Sequence, residues 1–187
     1  MEAISKNFKL EKTIKFMLIA LISTILITIS AKIKIPFYPV PMTMQTFIVL
    51  FLGITLGPKI GLLTVSLYLF EGIFGLPVFA GTPEKGIGLV YFTGPTMGYL
   101  IGFLFAVYFA GSFKYDKGLI NIFLKLIFSV SFIYIFGLIW LGTLIRWDKP
   151  VFKLGAEPFL LAELFKILLL LFLTPTLLKA KKLIKIT

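Results

Sequence analysis

Apolar residues in this chain come in long blocks, separated by short polar breaks. A membrane crossing needs about 20 mainly apolar residues. On that measure the pattern predicts six helical spans, at about 14–31, 42–56, 59–74, 95–112, 119–145 and 158–178. The breaks have identifiable chemistry. Pro36, Pro39 and Pro41 bar a helix after the first block, because proline lacks an N–H and also restricts the residue before it. Gly57-Pro58-Lys59 reads as a tight turn whose proline can open the next helix. Gly75-Leu76-Pro77 ends the third block, Pro158 opens the sixth, and Pro175 is expected to kink or end it. The stretch 146–157 reads as a charged loop. The second block is short for a span, so it is expected to begin within the bilayer depth, with the proline-rich segment against protein. The first block has a basic lead like a secretory leader. Thr28-Ile29-Ser30-Ala31 is a poor cleavage site and further blocks follow, so it is read as a true span.

Residues 76–93 break the simple alternation. Gly81, Pro83, Gly86 and Gly88 mark a loop, yet Val78, Phe79, Leu89, Val90 and Tyr91 are too apolar for a free surface. This loop is expected to fold over something.

Composition narrows the chemistry. The chain is 59% hydrophobic and 14% charged, with a mean hydropathy of +1.04, which excludes an ordinary soluble domain. It has no Cys and no His. That removes thiolate metal sites and the commonest general base and metal ligand. No GxxxxGK[ST] phosphate loop occurs, so the chain does not hydrolyse ATP by that device. No cofactor or metal site is expected. The net charge of +11 would suggest nucleic acid on a soluble chain. Here it sits largely at the two ends, in Lys6, Lys9, Lys12 and Lys15 and in Lys179, Lys181, Lys182 and Lys185. That placement anchors and orients a membrane protein, so nucleic acid is not an expected partner. Six spans with both termini cytoplasmic put more Lys and Arg inside, at Lys59, Lys114 and Lys117 as well as the ends, than outside.

The fourth span carries Gly94, Gly98, Gly102, Ala106 and Ala110 four apart, a stripe that lets another backbone come close. Internal packing is the expected use. The first span has Ala20, Thr24 and Thr28 at the same spacing, and there docking to another membrane subunit is an equal alternative. Ionisable residues inside spans are expensive and suggest function. Lys125 lies near a helix end and is expected to snorkel, and Glu71 is expected to be an interfacial carboxylate. Glu163 and Lys166 are three apart on one helix face. They are either a mutual ion pair or a polar site under the external loops. There the carboxylate could accept ligand N–H groups and the lysine could meet a ligand carboxylate. Gln45 is expected to face the same interior, since an unpaired amide in hydrocarbon is costly. Among the aromatics in or beside the external loops, namely Phe37, Tyr38, Phe79, Tyr91, Phe92 and Tyr99, Phe79 and Tyr99 are candidate pocket walls.

Four stretches in order then carry a resemblance: Val40-Pro41-Met42-Thr43-Met44-Gln45-Thr46, Leu56-Gly57-Pro58-Lys59, Gly75 to Gly81, and Gly94-Pro95-Thr96-Met97-Gly98-Tyr99-Leu100-Ile101-Gly102-Phe103. Together with Gly137, Trp140, Glu157 to Leu160 and Lys166, they resemble BioY, the biotin-binding membrane subunit of energy-coupling-factor transporters. The resemblance covers about 14–178. It implies an all-α, six-span capture subunit in the cytoplasmic membrane of a prokaryote. Biotin would bind under the external loops, with Gln45, Phe79, Tyr99, Glu163 and Lys166 as contacts. It also implies a transmembrane coupling subunit and a pair of ATPases as partners, beside membrane lipid. The docking motif would be Ala20 and Thr24. Where the family usually has Gly-Asp ahead of the sixth-span lysine, this chain has Ala162-Glu163, which keeps the carboxylate and adds a methylene. The rival readings are a subunit for another vitamin, a lipid-modifying membrane enzyme with Glu163 as base, and a structural subunit with no ligand.

Overall fold

The computed structural model describes residues 2–36, 38–116 and 118–184, and the side chains of all of these except 2–10, 12, 180 and 182–184. Phe37, and the terminal and loop lysines Lys6, Lys9, Lys12, Lys117, Lys182 and Lys185, therefore fall outside the described side chains. The elements run α1 (Glu2–Lys32), β1 (Lys34–Ile35), β2 (Met42–Thr43), α2 (Gln45–Ile73), α3 (Leu89–Phe92), α4 (Met97–Ser112), α5 (Gly118–Leu144), α6 (Val151–Gly155), a 3-10 turn (Glu157–Phe159) and α7 (Leu160–Ile184). Among the described residues, four helical stretches are long and apolar enough to cross a membrane: 13–32, 45–73, 118–144 and 151–179. Met97–Ser112 is a shorter apolar helix.

The second and third predicted spans meet in α2, which is broken at Gly57. The Gly57 backbone is left-handed, at φ 79°, a conformation that glycine adopts without the Cβ clash of other residues. Pro58 follows directly and starts the second arm. The two arms fold back on each other. A Cβ on Gly61 would lie 3.5 Å from the Gly53 Cα. Further along, the Gln45 amide donates to the Tyr68 hydroxyl at 2.8 Å. The break is thus a hairpin between antiparallel arms.

The small residues of α4 pack inside the chain. A Cβ on Gly102 would lie 2.5 Å from the Ile133 Cα of α5, and one on Gly98 would run into the Phe136 carbonyl. Ala106 and Ala110 are fully buried. We expect Gly102→Leu to destabilise the fold by about 1–3 kcal/mol, the usual cost of overpacking, read as a lower melting temperature in detergent. Melting at the wild-type temperature would show that α4 and α5 are not held together there.

Three sequence expectations are corrected. Ala20 and Thr24 are not an outward docking stripe: they are 0% and 2% exposed. The Thr24 hydroxyl donates to Glu71 Oε1 at 2.8 Å, tying α1 to α2. A threonine and a carboxylate inside an apolar bundle satisfy one another, and this turns that face inward. The outward face of α1 is instead aliphatic, with Met17, Leu18, Ile22, Ile25 and Ile29 exposed. Second, of the two outcomes expected at Pro175, a kink or an end, the end is excluded, because α7 continues to Ile184. The ring removes only one backbone donor, and a neighbouring Thr174 hydroxyl bonds the Leu170 carbonyl at 2.6 Å. Third, the charged stretch 146–157 is not all loop, since it contains α6.

The loop 76–93 folds over the end of the α2 hairpin. Phe79 is its plug, 1% exposed. It stacks on Tyr91 at 4.7 Å and meets Tyr68 and Phe92 edge-on, both at 5.3 Å. Gly72 leaves room for the ring, because a Cβ there would overlap it. Lys32, the last residue of α1, and Lys34 of β1 fasten the loop. The Lys32 ammonium donates to the Phe79 and Thr82 carbonyls at 2.8 and 3.1 Å, and that of Lys34 to the Ala80 carbonyl at 2.8 Å. Apolar plug and cationic staples together explain why so apolar a loop is not free.

Candidate functional site

Under this loop lies a cavity enclosing about 570 Å³, its mouth included. Its roof is Val40 and Pro41 beside Ala80, its floor is polar, and rings of Tyr91, Tyr99, Phe103 and Phe159 form its sides. Apolar walls with a few convergent polar groups are what small-molecule sites present.

The polar floor is built where the start of the α2 hairpin meets the first turns of α7. Glu163 and Lys166 share a face of α7, and their charged groups stand 3.3 Å apart with both side chains buried. A buried ion pair is sustained only when further hydrogen bonds satisfy its remaining donors and acceptors. All three Lys166 protons are used: on the Thr43 carbonyl at 2.7 Å, the Thr46 hydroxyl at 3.0 Å and Glu163 Oε2. Glu163 Oε2 accepts in addition from the Thr46 hydroxyl at 3.1 Å and the Tyr134 hydroxyl at 3.2 Å. Glu163 Oε1 has no partner among the described residues, although it is shut off from solvent. One oxygen of the carboxylate is thus locked in place while the other is left free.

Gln45 stands beside this pair. Its amide nitrogen is given to Tyr68, whose hydroxyl passes the bond on to the Val78 carbonyl at 3.1 Å. Its amide oxygen accepts from Thr43 at 3.2 Å. Tyr99 presents its ring to the cavity while its hydroxyl donates to the Gly155 carbonyl at 2.8 Å, holding the link between α5 and α7 over the site. Tyr91 accepts the Gly81 N–H at 3.3 Å. Burial raises its phenol above the ordinary tyrosine value, so it is a neutral group across the working pH range.

Of the residues singled out from sequence, Gln45, Tyr99, Glu163 and Lys166 are brought to this one cavity. Phe79 is not among its lining residues and stands behind Tyr91 instead. Sequence reasoning missed Tyr134 and the floor roles of Thr43 and Thr46. The two threonines lie within a motif that was noticed. Tyr134 carried a usable signal, a phenol hydroxyl three residues before Gly137 in the middle of a long, mainly apolar block.

The arrangement can bind but has little means to catalyse. Among the described residues, the cavity's charged side chains are one carboxylate and one ammonium, already paired, so the chamber is close to neutral. It favours a small neutral group that donates N–H to Glu163 Oε1 and fits between aromatic rings.

The family model described as the BioY family matches residues 4–183. The chain belongs to the BioY family. A relative named probable biotin transporter BioY, from Pyrococcus horikoshii, is 36% identical over 141 residues, which is 75% of this chain and 82% of the relative. The biotin transporter BioY of Thermotoga maritima is 35% identical over 147 residues, or 78% and 85% of the two chains. Among solved structures, the S-component for biotin from an ECF-type ABC transporter superposes with a TM-score of 0.73 at 27% identity, covering 90% of this chain and 93% of that one. The BioY match therefore extends over the helices that build the cavity as well as the loop that roofs it.

Proposed function

We propose that this protein captures biotin and serves its uptake as the substrate-binding subunit of an energy-coupling-factor transporter, and is not an enzyme. The observation that carries this reading is the buried, unpartnered Glu163 Oε1 in an otherwise neutral aromatic chamber. Biotin has a fused ring system with two ureido N–H donors, and a carboxylate only at the far end of an aliphatic tail. The ring end matches the chamber, one ureido N–H reaching Glu163 Oε1 and the bicycle lying among Tyr91, Tyr99 and Phe159. Lys166 is the one cation among the described residues that line the cavity, and its protons are committed. The tail carboxylate therefore belongs at the mouth, in water, and Lys166 acts by holding Glu163.

The two arms of α2, with α1, α4, α5 and α7, make six crossings, with both termini in the cytoplasm of a prokaryotic cell. The shortness of α4 supports this placement. Its 16 residues span about 24 Å, less than the ~30 Å hydrocarbon layer. The cavity and its roof then occupy the remaining depth on the outer side, where backbone polar groups are covered by protein. A transmembrane coupling subunit and a pair of ATPases would supply the energy.

Equilibrium binding of labelled biotin to the purified protein in detergent tests the reading. Tight binding that unlabelled biotin displaces and thiamine or riboflavin does not is the expected result. A folded preparation that binds no biotin, or that releases it to either competitor, would overturn it.

A further inference from the structure

On the outward surface where α4 meets α5, phenylalanines stack into a continuous ladder. Phe105 lies 4.6 Å from Phe136, Phe109 lies 4.7 Å from Phe132, and Phe113 meets Phe128 at 5.8 Å. The ladder ends at a groove lined by Phe109, Phe113, Asn121, Leu124, Lys125 and Phe128. It encloses about 780 Å³, open side included. Phe128 and Leu124 are exposed, so this is a membrane-facing surface and not part of the core.

Two polar groups in this groove are under-used. Lys125 bends back to the Lys114 carbonyl, as snorkelling predicts, and its ammonium hangs 5.8 Å from the Phe113 ring and 5.9 Å from that of Tyr115. Among the described residues it forms no ion pair. One turn earlier on α5, Asn121 Oδ1 is shut off from solvent with no hydrogen-bond partner among the described residues. Both residues sit in the first two turns of α5, at the positive end of its dipole. Asp116 is exposed on the adjoining loop and is the nearest acidic residue in sequence.

We propose that this groove binds an anionic phospholipid whose headgroup carries a hydroxyl, phosphatidylglycerol in type. Lys125 meets the phosphate, Asn121 Oδ1 accepts the headgroup hydroxyl, and an acyl chain lies along the phenylalanine ladder. Basic pockets between membrane helices recognise anionic headgroups in this way. A cation without an ion-pair partner at the edge of an apolar groove is complementary to such an anion. The site does not depend on the biotin reading. Its assignment to the inner leaflet follows from the proposed topology, but its chemistry does not.

The test is native mass spectrometry of the full chain titrated with phosphatidylglycerol or phosphatidylcholine, with Lys125→Gln and Asn121→Leu variants whose melting curves show that they are folded. The expected result is retention of phosphatidylglycerol over phosphatidylcholine by about fivefold or more, as one basic contact to an anionic lipid gives. Lys125→Gln should abolish that preference and Asn121→Leu should reduce it. Soluble glycerol phosphate should not compete, because it lacks the acyl chain. Equal retention of the two lipids would overturn the proposal, as would a preference that survives Lys125→Gln. Competition by glycerol phosphate would make this a site for a free phosphate ester and overturn the lipid assignment.

Discussion

Glu163→Gln should raise the dissociation constant for biotin about 10- to 150-fold, equivalent to ~1.5–3 kcal/mol for a hydrogen bond to a charged group. In the structure this carboxylate has one oxygen held by Thr46, Tyr134 and Lys166 and the other buried with no partner among the described residues. The amide keeps the shape and removes the charge that strengthens the bond to a ureido N–H. It also brings an NH2 that must sit either against the Lys166 ammonium or where the ligand's own N–H belongs. Glu163→Asp should lose much less, since the charge remains and a methylene is the only difference. The check is isothermal titration of the two variants beside the parent. If Glu163→Gln binds biotin as tightly as the parent does, the ureido ring is not held by this carboxylate, and the site assignment fails.

Lys166→Met should weaken biotin and biotin methyl ester by the same factor. Removing one partner of a buried ion pair costs about 3–5 kcal/mol, because the other charge is left uncompensated. Glu163 would then lose the ammonium that holds its Oε2, and the acceptor for the ring end would no longer be fixed in place. The tail is untouched, because every Lys166 proton is already on Thr43, Thr46 or Glu163. A loss much larger for biotin than for its ester would place Lys166 on the tail carboxylate instead, as the sequence alone allowed. The double variant Glu163→Gln with Lys166→Met separates stability from binding. With both charges gone it should melt closer to the parent than Lys166→Met does, while still failing to bind biotin well.

The breaks that separate the helices were readable because each depends on local chemistry. Gly57-Pro58 turns the chain wherever it occurs, through a left-handed glycine and a following residue that cannot continue the same helix. The stripe on α4 was readable for a similar reason, since only small residues let two helix backbones approach. Pro175 shows the limit of local rules. A missing N–H disrupts one bond, but within a bilayer the rest of the helix has no water to turn to, so α7 continues. Ala20 and Thr24 show another limit. Spacing says that two residues share a face, and it cannot say which neighbour that face meets. Glu71, 47 residues away from Thr24, decided it.

The candidate site divides in the same way. A carboxylate and a lysine three apart in an apolar helix mark a functional region by cost alone, and Glu163 and Lys166 were visible on that ground. Their division of labour was not. It depends on Thr43 and Thr46, more than a hundred residues earlier, and on Tyr134 of α5, which together occupy the lysine and one oxygen while leaving the other oxygen open. Phe79 was placed correctly in a covering loop, but its ring turned to the aromatic cluster behind Tyr91 and away from the cavity. By itself the sequence determined the membrane class, the helix breaks and the family, because block hydrophobicity, proline and glycine act through the nearest residues. Which atoms of Glu163 and Lys166 remain free for a ligand was decided only by the tertiary structure, because hydrogen bonds between distant helices use up donors and acceptors that no local pattern can assign.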